Sequence, residues 1–372
     1  MFFVTFSALW SFTYFFLLTY TTFILTLILY ILPTFTVHTN YSSASRKDSS
    51  DLINGLDIFI IITTIYLVPI LLTWLWTSPV VSTWFGHLLF NGFSLKVHYL
   101  IMLYFILVLA TLLFNMYLSS RELYDFLITL FSFNYWIIWL FTANSLITTI
   151  FIIEVISALI FLFIVTSSFS TNFFYRNINF TFGNFFQNSI PYTFLQSLIV
   201  FFWISLIASL NLFVFIILGY LKLFTLDWFW LEHVFTYLLG ITTLSELLGI
   251  GIVWSILIFS IFLKCGVAPI YIWKPKFFRG LPLHTICFYT TFFYFFIFLF
   301  IITFIGTYLA NILYYFVIVN ITLLVTGFII LTTLLCESYY LKSFMAMSSI
   351  LNSLLVLLLL VIPHSNNIPF WL

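Results

Sequence analysis

The sequence predicts an all-α integral membrane protein with about ten transmembrane helices. Three observations carry that prediction. Of 372 residues, 64% are hydrophobic and only 6% are charged, where soluble domains carry about 25%. So few charges cannot cover a water-facing surface, and the bilayer must be the solvent. The apolar runs are long and unbroken, about the 20 residues that a helix needs to cross roughly 30 Å of hydrocarbon. A membrane β-barrel would instead show short segments of alternating polarity. Finally, the basic residues between the runs are distributed as a multi-pass chain requires.

The predicted spans fall near 3–34, 57–77, 98–118, 123–142, 145–168, 191–217, 245–273, 283–306, 309–335 and 339–362. The first begins without a basic flank or a small-residue cleavage site and reads as a retained span. A linker from Thr36 to Leu56, rich in Ser, Asn and charge, separates the first two spans. A second, Ser170 to Ser189, is rich in Asn and Phe and comes after the fifth. The third, Gly219 to Tyr237, mixes Lys222, Asp227 and Glu232 with Trp228 and Trp230, a composition that suits an amphipathic interfacial segment.

Loops after odd-numbered spans hold Arg46, Lys47, Arg121, Arg176, Lys274, Lys276, Arg279 and Lys342, and those after even-numbered spans hold only Lys96 and Lys222. By the positive-inside rule the basic loops face the matrix or cytoplasm, and both termini lie on the outer side. A net charge of +1 implies no nucleic-acid or acidic partner. Cys265, Cys287 and Cys336 form no CxxC pair and predict neither disulfide nor metal site. The six histidines, His38, His87, His98, His233, His284 and His364, fall in loops or near span ends and offer no haem ligation. No phosphate loop, nucleophile elbow or HExxH run occurs, so the chain is expected to hold no cofactor.

Nearly all charges sit in loops or at span ends, and two do not: Glu154 lies in the middle of the fifth span and Lys264 deep in the seventh. Each costs about 2.5–3.5 kcal/mol at the bilayer centre on insertion scales, and such residues face protein or a hydrated cavity. One reading is a structural ion pair that locks two helices. The other is a proton relay: burial raises a Glu pKa and lowers a Lys pKa, and pairing restores both charges, so a pair that forms and parts can release and rebind protons. Gly266 and Pro269 come directly after Lys264 and predict a broken helix. At membrane depth a break is tolerated only where protein or water satisfies the freed backbone, and transporters place such breaks at ion sites.

These residues carry a resemblance. Lys264-Cys265-Gly266-Val267-Ala268-Pro269, with Trp273, Pro275, Phe278, Gly280 and Pro282, resembles the K-x-G-x-A-P-F-H-x-W-x-P-x-x-Y-x-G-x-P signature of the NADH dehydrogenase subunit 2 family. Tyr340-Leu341-Lys342-Ser343-Phe344-Met345-Ala346-Met347-Ser348-Ser349-Ile350 is similar to that family's Q-L-K-R-x-L-A-Y-S-S-I. Glu154-Val155-Ile156-Ser157-Ala158-Leu159 is similar to its E-L-x-S-L, and Phe90-Asn91-Gly92-Phe93-Ser94-Leu95 to a weaker D-x-F-S-L/F. The resemblance implies an antiporter-like, inverted-repeat subunit of respiratory complex I in the mitochondrial inner membrane. The 52 Phe and 22 Tyr fit an AT-rich organellar genome. It further implies that Glu154 and Lys264 form the proton-pathway pair. NADH, FMN, iron-sulfur clusters and ubiquinone would be bound elsewhere in the complex, and other membrane-arm subunits and lipid would be the partners.

The sequence also departs from the family. A Lys is usual in the eighth helix, twelve residues after the last signature Pro, and counting from Pro282 lands on Tyr294. Its hydroxyl can relay a proton but carries no positive charge. A histidine common after S-S-I is replaced by Asn352. The family fold has fourteen helices and this sequence predicts ten, a fold truncated after the tenth. On that basis residues 1–118 are three N-terminal helices, 119–306 a first five-helix repeat, and 307–372 two helices of an incomplete second repeat. A separate polypeptide is expected to supply the rest. The alternatives are a scaffold subunit without transport and a cation/proton antiporter subunit of the Mrp type.

Overall fold

The computed structural model describes residues 80–83, 86–115, 120–178, 192–241, 244–267, 269–309, 317–336 and 340–361, with Ile24 and Thr63 singly. The predicted spans 3–34 and 57–77, the linker Thr36–Leu56 and the tail 363–372 lie outside the described residues, apart from those two positions. Six described helices are long and apolar enough to cross a membrane: Gly92–Ala110, Leu146–Thr166, Phe194–Leu221, Thr285–Tyr308, Val317–Cys336 and Leu341–Leu358. They match the third, fifth, sixth, eighth, ninth and tenth predicted spans. Phe126–Leu140 and Gly249–Cys265, in the fourth and seventh, are apolar but shorter.

The chain divides into two compact units. The first takes residues 1–144, 151–185 and 282–288. It opens with a hairpin of β1 (Val81–Thr83) and β2 (Leu88–Phe90), paired antiparallel with Val81 opposite Phe90. Gly86, at φ +87°, makes the turn. Helices α1 (Gly92–Asn115) and α2 (Ser120–Leu140) come next, and α3 (Leu146–Ile178) adds its residues from Phe151 onward. The hairpin closes the end of α2: Leu89 N–H donates to the Thr142 carbonyl at 2.7 Å, and Asn144 N–H to that of His87 at 2.8 Å.

The start of α1 explains a motif. Asn91 N–H donates to Ser94 Oγ at 3.0 Å, and the Ser94 hydroxyl donates back to the Asn91 carbonyl at 2.9 Å. The Ser94 hydroxyl thereby supplies a partner for the Asn91 N–H at the helix start, and the Asn91 carbonyl also accepts from Leu95 N–H at 3.2 Å. The helix therefore begins at Gly92, six residues before the predicted start of the third span, and takes in Lys96 and His98. His98 is fully buried, its ring edge-on to Phe90 at 6.5 Å. Phenylalanines join the helices: Phe105 meets Phe131 at 5.3 Å, Phe126 meets Phe163 at 4.8 Å, and Phe163 meets Phe288 at 4.6 Å. Each such buried ring is worth about 1.5–3 kcal/mol of apolar transfer.

The second unit takes residues 145–150, 186–281 and 289–372. It contains α4 (Tyr192–Leu223), α5 (Trp228–Ile241), α6 (Leu244–Cys265) and α7 (Trp273–Gly280). The next helical stretch begins in the first unit as α8 (Leu283–Phe288) and continues here as a π-helical turn (Tyr289–Phe293), α9 (Tyr294–Phe300), a second π-turn (Ile301–Ile305) and α10 (Gly306–Tyr308). Helices α11 (Val317–Cys336) and α12 (Leu341–Val361) complete it. The predicted linker 219–237 is mostly helix: α4 runs through Leu223, Phe224 turns at φ +57°, and α5 starts at Trp228. Trp228 is buried against Phe304 at 5.7 Å, whereas Trp230 and Tyr237 of the same helix are exposed.

Helix α4 packs along α6 and α7, and α12 packs against α11 and α7. Helix α11 buries one stripe, Asn320, Leu324, Gly327 and Leu331, and exposes Ile318, Val319, Val325 and Ile329. Helix α4 likewise exposes Ile199, Trp203, Leu210 and Ile217. Large apolar faces of this kind are favourable against lipid or another membrane helix and unfavourable in water.

Candidate functional site

The site is built where α6 stops. Gly266, at φ +61°, adopts the left-handed conformation after Cys265, and Val267 N–H donates to the Phe262 carbonyl at 3.0 Å. This is the six-to-one closure of a helix C-terminus, in which glycine suffers no Cβ clash. A Cβ on Gly266 would also lie 3.0 Å from the Trp273 ring and 3.1 Å from Cδ of Lys274. Pro269 is exposed in the connection, Ile270 N–H donates to the Val267 carbonyl at 2.9 Å, and α7 begins at Trp273. Pro275 sits in the first turn of α7, where its missing N–H breaks no helical hydrogen bond.

Lys264 lies in the last turn of α6 and is half-buried. The negative end of the helix dipole favours its ammonium there. Tyr294 is buried, and its hydroxyl donates to the Cys265 carbonyl, one of the groups the break leaves free. The break thus brings Lys264, Cys265, Gly266 and Tyr294 into one neighbourhood of the second unit.

Sequence reasoning misses one residue of that neighbourhood. By pattern Lys274 belongs to a basic loop, but it is fully buried on α7. Its ammonium stands 3.9 Å from the centroid of the Tyr294 ring and 5.9 Å from that of Phe278. Among the described residues Nζ has no hydrogen-bond partner. Without Lys274, the basic residues after odd-numbered spans number seven rather than eight, still against two. The available signal is its position between Trp273 and Pro275, at the end of an otherwise apolar stretch from Val267 to Trp273.

Glu154 lies on α3 in the first unit and is half-buried. The Ser157 hydroxyl donates to the Glu154 backbone carbonyl at 2.7 Å and lies 3.5 Å from its Oε2. The Glu–Ser spacing of three residues puts both groups on one helix face. Lys342, from the third motif, reaches back to α7: its ammonium donates to the carbonyl of Leu281, the C-cap residue, at 2.6 Å. Arg279 stands 5.3 Å from the centroid of the Tyr340 ring. The motif at 340–350 therefore holds the end of α7 at two points. Among the described residues no group of three or more His, Cys, Asp or Glu side chains is arranged to hold a metal ion.

No protein-family profile matches the sequence, and no curated protein matches it. Among solved structures, the chain is similar to a chain of respiratory complex I from Thermus thermophilus with bound aureothin. The TM-score is 0.58 at 12% identity, over 91% of this chain and 62% of that one. The two share a fold, and this chain spans about three-fifths of the other's length.

Proposed function

We propose that the chain is a proton-translocating membrane-arm subunit of a respiratory complex I, of the subunit 2 type, in the mitochondrial inner membrane. The observation that carries the proposal is the end of α6, where Lys264 stands two residues before a glycine-closed break in a fold shared with a complex I chain. Such a break presents free carbonyls to protein or water, the environment in which an embedded lysine can exchange protons.

In this reading Glu154 and Lys264 each take up and release a proton during transport. Ser157 orients the segment around Glu154, and the Tyr294 hydroxyl extends the polar path past Cys265. The redox chemistry, with NADH, FMN, iron-sulfur clusters and ubiquinone, belongs to partner subunits.

Two measurements test the proposal. The chain should co-migrate with NADH dehydrogenase activity on a native gel, and migration apart from that activity would overturn the assignment. Lys264→Met should lower proton pumping in reconstituted vesicles about tenfold or more while the complex still assembles. Undiminished pumping would leave the chain a scaffold.

A further inference from the structure

Lys274 has no evident structural reason to be buried. An ammonium removed from water is destabilised unless it is paired and hydrogen-bonded. This one is fully buried and has no hydrogen-bond partner among the described residues. Its contacts are the faces of the Tyr294 and Phe278 rings. Attraction of a desolvated ammonium to an aromatic face offsets only part of that cost. The same Tyr294 donates to the carbonyl of Cys265, the residue after Lys264. Moreover, the Lys274 stem would be touched by any side chain replacing the hydrogen of Gly266. The lysine is thus packed onto the break itself.

We infer that Lys274 is a second proton-exchanging lysine of the break, and that its amine supplies, from α7, the cation absent from the eighth predicted span at Tyr294. Burial disfavours the ammonium relative to the free amine, so the group readily gives up a proton and takes one back. On release the N–H bond breaks, its electron pair stays on Nζ, and the proton passes to water in the break. On uptake the same pair accepts a proton from water. Tyr294 is the positioning residue: its ring faces the cation and its hydroxyl ties that ring to the end of α6. The inference rests on the proposed transport function.

The test uses the whole complex reconstituted in vesicles, with pumping and NADH oxidation measured together. Lys274→Met keeps the length of the side chain and removes the amine, and loss of a buried charge is compatible with folding. It should lower pumping about tenfold or more in complex that assembles normally. Lys274→Arg separates exchange from structure, since a guanidinium keeps the charge and the ring contact but does not release its proton. It too should lose pumping. Wild-type pumping in either variant overturns the inference. If the arginine variant does not assemble, the double variant Lys274→Met with Tyr294→Lys decides: recovered pumping supports the inference, and an assembled but silent complex overturns it. A complex in which Lys264→Met pumps normally sinks the transport proposal, whereas an effect at Lys264 with none at Lys274 sinks only this inference.

Discussion

Replacing Gly266 by alanine would strain the break in two separate ways. The backbone stays at φ +61°, where an L residue with a Cβ costs about 1–2 kcal/mol. The new methyl would also lie 3.0 Å from the Trp273 ring and 3.1 Å from Cδ of Lys274. Both neighbours are buried, Trp273 at 5% exposure and Lys274 at 0%, so each would have to shift by a few tenths of an ångström against packed surroundings. Overfilling a packed site typically costs about 1–3 kcal/mol. Together these give a loss of about 2–5 kcal/mol, concentrated at the joint between α6 and α7. Thermal dissociation of the detergent-solubilised complex, with retention of this chain scored on native gels, reads that loss. Adding Trp273→Leu should recover the part due to the ring and leave the backbone part, which a double-mutant cycle separates. If Gly266→Ala lies within about 0.5 kcal/mol of wild type, the left-handed closure does not hold the break and the reasoning fails.

Two further substitutions probe individual hydrogen bonds. Ser94→Ala removes both halves of the closure at the start of α1 and should cost about 1 kcal/mol. Hydrogen exchange in the first turn of α1 should speed up, and unchanged protection there would refute the capping role. Lys342→Met removes the ammonium from the Leu281 carbonyl; half-buried as it is, it should contribute about 1 kcal/mol. Exchange of the Leu281 amide, bonded to the Phe278 carbonyl, should accelerate while α4 is unaffected, and equal rates would show that α7 is held by packing alone.

Hydropathy alone locates most of the described helices, because lipid requires long apolar runs and almost nothing else competes with that signal. The features it does not locate are set by hydrogen bonds. The hairpin at 81–90 is two three-residue strands, too short for alternation to stand out from noise. The six-residue error at the start of the third span comes from reading Lys96 and His98 as end markers, when Asn91 and Ser94 set the start. The segment 219–237 looks interfacial because it mixes tryptophan with charge, but composition does not reveal that Trp228 packs inward against Phe304.

The same limit explains the lysine. A charge between two apolar runs reads as a loop charge, and Lys276 and Arg279, which are exposed, fit that reading. Lys274 does not, because the chain forms another helix at Trp273 and turns that position inward. Counting along the eighth span has a parallel weakness: the π-turn at Tyr289–Phe293 adds a residue to a turn and rotates the downstream residues by about 100°. Residue counts across such a turn do not conserve a helix face, so the identity at position 294 cannot by itself say whether a cation is present there. The deciding quantity is the charge that reaches that point in space. The Lys274 ammonium on α7 stands 3.9 Å from the centroid of the Tyr294 ring, and under the inference that this amine exchanges protons a missing eighth-span lysine is no argument against transport.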